Sequence, residues 1–219
     1  MEPSTSFEIC VGAILTQNTN WQNVGKALEN LKKANVLEVK KLATIPDGEL
    51  ENYLRPSGFY RQKAERVKNF CRHLLKTYSG KLEKLFKREV VDARNELLVL
   101  KGIGPETADT ILLYAGNKLI FVIDEYTRRF VRRHNLTQNL SYASLQAFFM
   151  NNLPKSVRIY KDYHALIVQD GKVFCRIHEK YLKISHDWDN CGENIPMKHV
   201  LYVAFSNGKE GEILIDEEV

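Results

Sequence analysis

Apolar residues recur at helical spacing along most of this chain, as they do where helices pack one face against a core. Phe7–Thr16 is mostly apolar and reads as a buried helix. In Asn20–Ala34, Trp21, Val24, Ala27, Leu28 and Leu31 fall on one stripe. Val36–Ala43, Glu49–Leu54, Arg61–Thr77, Asp92–Leu100, Pro105–Ala115, Glu125–Arg133, Leu145–Asn151 and Ser156–Gln169 continue the helical reading. Pro46-Asp47-Gly48 and Arg55-Pro56-Ser57-Gly58 interrupt it. The tail changes period. His199–Phe205 and Glu212–Asp216 are β-branched and apolar, and the Asn207-Gly208 pair between them signals a hairpin. The pattern predicts a mainly α fold with a short C-terminal β-hairpin on residues 192–219.

Composition narrows the picture. With 219 residues, 44% hydrophobic and 27% charged, the chain can bury a sizeable core and is not compositionally disordered. Runs such as Leu119–Ile123 are too short to cross a bilayer, and no secretion signal is evident. A cytoplasmic, nucleoid-associated protein is expected, or a nuclear one in a eukaryote. The net charge of +5 permits a polyanionic partner without demanding one. Arg128, Arg129, Arg132 and Arg133 cluster, either toward such a partner or as a solvated helix face. Cys10, Cys71, Cys175 and Cys191 are widely spaced, and disulfides are not the default reading.

Candidate chemistry begins at Leu97–Ala115. A helix is expected to end at Lys101, Gly102-Ile103-Gly104 to turn the chain using left-handed glycines, and Pro105 to open the next helix. Such a turn brings backbone N–H groups close to an anion, and a DNA phosphate fits without being read for sequence. An ordinary helical hairpin would use the same glycines. Twenty residues after Gly104, Asp124 ends an apolar run and precedes a helix. Asp is favoured there simply as an N-cap, and a cap can also be a catalyst.

Leu100-x-Gly102-Ile103-Gly104-x-x-Thr107-Ala108 followed by Val122-Ile123-Asp124 resembles the helix-hairpin-helix (HhH-GPD) DNA glycosylases, which are endonuclease III-like. The resemblance runs from about Phe7 to Cys191. It implies a two-lobe helical fold, with residues 21–123 as a central bundle carrying the hairpin at 97–115. Residues 1–20 and 124–191 would form the second lobe. It also implies a monomer acting on double-stranded DNA that contains a damaged base, with Asp124 as the catalytic carboxylate and Gly102, Ile103, Gly104, Glu106 and Thr107 on the DNA. The hairpin carbonyls would hold Na⁺ or K⁺. Bond cleavage develops oxocarbenium character on the sugar, which a carboxylate stabilises, once the base has left the stack.

Bifunctional members carry a nucleophilic lysine two residues after the second hairpin glycine, where this chain has Glu106. A carboxylate forms no imine, so a monofunctional enzyme without AP lyase activity is expected. By resemblance, Gln17 fills the gap left by the flipped base and Phe59 wedges between bases; taken alone they read as a loop residue and a core residue. Leu15-Thr16-Gln17-Asn18-Thr19, Arg55-Pro56-Ser57-Gly58-Phe59-Tyr60 and Glu106 are most similar to the 3-methyladenine DNA glycosylase III branch. There an aromatic at the position of Trp21 stacks on the extruded base, and an indole face suits a cationic methylated purine. Other pocket aromatics of that branch precede the matching segment, and only Met1–Ser6 stand there here. Glycosylases for uracil, mismatched thymine or an oxidised base, a bifunctional lyase and a non-catalytic DNA-binding module are the alternatives.

Many endonuclease III relatives hold a [4Fe–4S] cluster on four cysteines. Cys175 and Cys191 match the outer two, but Leu182 and Ser185 occupy the middle positions, so no cluster is expected. Cys175, His178, His186 and Cys191 offer zinc ligands at non-standard spacing, and a loop braced by packing is the preferred reading.

Overall fold

The computed structural model describes residues 5–181. The expected β-hairpin, His186 and Cys191 lie outside them. Among the described residues eleven α-helices follow one another: α1 (Ser6–Leu15), α2 (Trp21–Lys33), α3 (Val39–Thr44), α4 (Asp47–Leu54), α5 (Tyr60–Tyr78), α6 (Leu82–Phe86), α7 (Val90–Leu98), α8 (Pro105–Thr110), α9 (Glu125–Arg133), α10 (Tyr142–Asn152) and α11 (Val157–Tyr181). Thr5, Asn20, Asp124 and Ser141 each accept a backbone N–H near the start of the helix they precede, which satisfies donors that the helix leaves open.

Apolar on every side, α1 runs through the interior, with Cys10, Val11, Ile14 and Leu15 fully buried. It packs against α2, α5, α8 and the turn that follows α8. On one side α2–α6 pack on each other; on the other α9 packs on α11. Ile120–Ile123, buried and outside any helix, runs through the core, with Phe121 stacked on Phe149 at 4.5 Å. This is a mainly helical fold, as the periodicity predicts.

Several expectations need correcting. The short helix α6 has too few residues for its period to show. The helix expected over Pro105–Ala115 changes at Ile111 into a π-helical turn, Ile111–Ala115, closed by Gly116 N–H to Ile111 O at 3.0 Å. The helix before the hairpin ends at Leu98 rather than Lys101. Only Gly102 is left-handed (φ +88°); Gly104 is extended (φ −91°, ψ −179°). The last helix runs past Gln169 to Tyr181, so the backbone at Cys175 and His178 is helical, not the start of a loop. Gly171 permits this close packing, since a Cβ there would meet Tyr126 of α9.

Candidate active site

Asp124 caps α9. Its Oδ1 accepts from Thr127 N at 2.7 Å and from Thr127 Oγ1 at 2.9 Å, which fixes the carboxylate plane. Oδ2 faces His164 Nε2 of α11 at 3.4 Å. Burial pushes this carboxyl up, but the neighbouring His164 and the two Thr127 donors outweigh burial and hold it below the usual aspartate value. The side chain is an ionised carboxylate at the head of a helix.

The hairpin turns beside it. Thr107 is buried on α8, and Gln17, just after α1, donates from Nε2 to Thr107 Oγ1 at 2.9 Å and to Gly102 O at 3.0 Å. Arg66 of α5 donates to Gln17 Oε1 and lies where a Cβ on Gly102 would fall, so glycine is required there for both space and φ. Gly104 has open space beside its Cα. Ile103 is buried as the hairpin's anchor. The carbonyls of Leu100 and Gly102 already accept N–H bonds, which leaves each one lone pair for a cation; the fit to Na⁺ or K⁺ is partial.

Phe59 and Trp21 both stand out of the core, at 63% and 58% exposure. Phe59 is left-handed (φ 44°), a conformation costing roughly 1 kcal/mol or more for a residue with a Cβ. The turn before it is clamped: Ser57 Oγ donates to Leu54 O, and buried Lys63 Nζ donates to Ser57 O at 2.5 Å. Burial, and then Arg66, lower the Lys63 amine to about 8. Neither aromatic is a core residue. Trp21 rests one ring edge on α1, where Gly12 leaves room: a Cβ there would sit 3.3 Å from Trp21 Cη2. Gly12→Ala should shift the indole while gaining helix propensity. The expected result is an unchanged or higher Tm, and a lowered Tm would show that the indole cannot give way.

Glu106 is exposed at the first turn of α8, yet protein flanks it. Partial desolvation, followed by the Asp124 charge, raises its carboxyl above the usual glutamate value, with His164 and Arg128 pulling the other way. Glu106, Asp124, His164 and Arg128 therefore share one electrostatic environment, with two carboxyls pushed apart. A carboxyl raised by folding costs stability above its ordinary pKa and nothing well below it. Glu106→Gln should therefore raise Tm at about pH 7.5, with the gain fading toward about pH 4; an equal Tm at both would overturn the assignment.

Sequence reasoning passed over two groups. Asp109 of α8 is fully buried and accepts from Arg94 Nε (2.6 Å), Arg94 Nη2 (3.1 Å), Tyr142 OH (2.7 Å) and Gln146 Nε2 (2.7 Å). His164, 8% exposed, faces the carboxylate. Neither has a local motif, because their partners come from distant helices. Cys10 and Cys71 are buried thiols pushed up by desolvation, Cys71 to about 12, and are inert. Among the described residues no group of three or more His, Cys, Asp or Glu is placed to hold a metal ion, and no helix is long and apolar enough to cross a membrane.

The family of HhH-GPD superfamily base excision DNA repair proteins matches residues 11–155. Over 175 residues, covering 78% of this chain and 79% of the relative, the chain is 45% identical to MJ1434 of Methanocaldococcus jannaschii, a DNA repair glycosylase by name. Endonuclease III of Thermotoga maritima is 26% identical over 170 residues, covering 78% of this chain and 75% of its own. Among solved structures, the H. pylori 3-methyladenine DNA glycosylase bound to 1,N6-ethenoadenine superposes with a TM-score of 0.67 at 33% identity, over 81% of this chain and 86% of that one. A trapped endonuclease III–DNA covalent intermediate shares the fold, with a TM-score of 0.67 at 22% identity over 80% and 78%. The match that begins in α1 and runs past α10 takes in the hairpin and the capping Asp124, and on it this chain belongs to the HhH-GPD superfamily of base excision DNA repair proteins, as a DNA glycosylase.

Proposed function

We propose that this chain removes an alkylated purine of the 3-methyladenine kind from duplex DNA by hydrolysis, without cutting the strand. The observation that carries the reading is the ionised, doubly anchored Asp124 carboxylate beside the hairpin, with a carboxyl rather than an amine at residue 106. Gly102–Gly104 would take a backbone phosphate and Phe59 would enter the stack. Gln17 would leave Gly102 and Thr107 to fill the vacated space. Trp21 would stack on the extruded base, its indole face suiting the positive charge of a methylated purine. As the N-glycosidic bond lengthens, the Asp124 charge stabilises the sugar cation and orients water toward its anomeric carbon. An alkylated purine is already a good leaving group, so an aromatic platform and one carboxylate can suffice.

The similarity to the H. pylori enzyme supports the alkylpurine choice. For the lyase question, three lysines near the hairpin or on the next helices are engaged: Lys101 with Glu65 at 3.0 Å, Lys118 with Arg88 O at 2.7 Å and Lys161 with Asn117 Oδ1 at 2.7 Å. The test is base release from duplex DNA treated with a methylating agent, with strand breaks scored before and after alkali. Released 3-methyladenine with breaks only after alkali is expected. The Thermotoga endonuclease III similarity favours a second reading, a bifunctional enzyme for other lesions. A covalent DNA adduct trapped by borohydride would establish that reading and overturn the first.

A further inference from the structure

We infer that Tyr114 and His164 form a relay that fixes the free oxygen of Asp124, with His164 as the positioning residue. The inference deepens the proposed use of Asp124 and rests on it. The starting observation is an anomaly. His164 Nε2 is buried and has no hydrogen bond of good geometry among the described residues, a costly state for a polar atom. The atom it faces is Asp124 Oδ2 at 3.4 Å.

The contact at the other ring nitrogen points to the tautomer. Tyr114 OH lies 2.7 Å from His164 Nδ1 and 3.4 Å from Lys161 O. Burial, with the charges of Asp124 and Asp162, keeps the phenol protonated. Given to the nearer acceptor, the phenol proton makes Nδ1 the acceptor and puts the ring hydrogen on Nε2, aimed at the carboxylate. The opposite tautomer would set a lone pair against Oδ2. Tyr114 reaches the ring because it lies in the π-helical turn, which re-aims the helix after α8. The imidazole is held edge-on between Tyr114 (5.9 Å) and Phe121 (6.2 Å).

The division of labour follows. Oδ1 is occupied by Thr127, so Oδ2 is left to meet the sugar, and among the described residues His164 is the group that faces it. An N–H···O bond sits near ~2.9 Å, so a shift of roughly half an ångström completes the contact.

Two experiments test the relay. The first needs no substrate: ¹⁵N spectra of the imidazoles in the full chain, assigned with His164→Gln. Protonated Nε2 and bare Nδ1 at neutral pH are expected, with that preference lost in Tyr114→Phe. Protonated Nδ1 in the wild type overturns the relay, even if base release fails and the functional reading falls with it. The second is single-turnover base release from methylated duplex DNA. His164→Leu should slow it by about 10- to 100-fold, the scale of a lost hydrogen bond to a charged group. His164→Gln, which restores a non-titrating donor near Nε2, should stay within about threefold of wild type. Binding to an abasic-site duplex should be unchanged in both. Equal loss in the Leu and Gln variants, or none in Leu, overturns the positioning role.

Discussion

Asp124→Asn is expected to release methylated purines about 100- to 1,000-fold more slowly than wild type, the scale of removing one electrostatic stabiliser aimed at developing charge, while the folded protein should be nearly unchanged in stability. The separation rests on the two jobs of the side chain. Asn is as good an N-cap as Asp, and its carbonyl oxygen can still accept from Thr127 N and Oγ1. What is lost is the negative charge that the proposed mechanism sets against the sugar cation. Tm should move by no more than about 2–4 °C, the shift for about 1 kcal/mol in a chain of this size. The measurement is single-turnover base release beside a thermal melt. Full activity would remove Asp124 from the mechanism. A collapse of both activity and Tm would mean that the carboxylate is chiefly structural.

Asp109→Ala is the larger effect on stability. The Asp109 carboxylate is fully buried and takes two donors from Arg94 of α7 and one each from Tyr142 and Gln146 of α10. Removing it strands a guanidinium whose side chain is only 24% exposed, with a phenol and an amide. Breaking one side of a buried ion pair costs about 3–5 kcal/mol, out of a total of order 5–15 kcal/mol. Tm should fall by about 10 °C or more. The damage reaches the site through the backbone. Gln146 also donates to Phe121 O at 2.7 Å, and Tyr142 OH lies 3.5 Å from Ile123 N, so the network tethers the segment that delivers Asp124. Activity should fall even below the melting range. Asp109→Asn, which keeps the shape and two acceptor lone pairs, should fall between alanine and wild type. An alanine variant that melts like wild type would show that the network contributes little.

The two variants separate what local sequence carries from what it does not. Asp124 as a cap on α9 was legible, because the bond from Oδ1 to Thr127 N spans three residues. The helical stripes were legible for the same reason: hydrogen bonds and side-chain neighbours along a helix lie three or four positions apart. The turn at Gly102 announced itself through two glycines and a proline, though Gly104 adopts an extended conformation any residue can take.

The sequence alone determined the helical character, the hairpin, the capping carboxylate and the absence of a lysine at residue 106. Only the tertiary structure decided that Gln17 would bridge the hairpin across 85 residues, that Asp109 would gather donors from 15, 33 and 37 residues away, and that His164 would face Asp124. It also decided that Trp21 and Phe59, apolar and at positions compatible with a core, would stand in solvent. The physical reason is one of range. A cap or a stripe is settled by neighbours a turn away, whereas a buried charge or an exposed aromatic depends on which helices meet, and no spacing along the chain encodes that meeting.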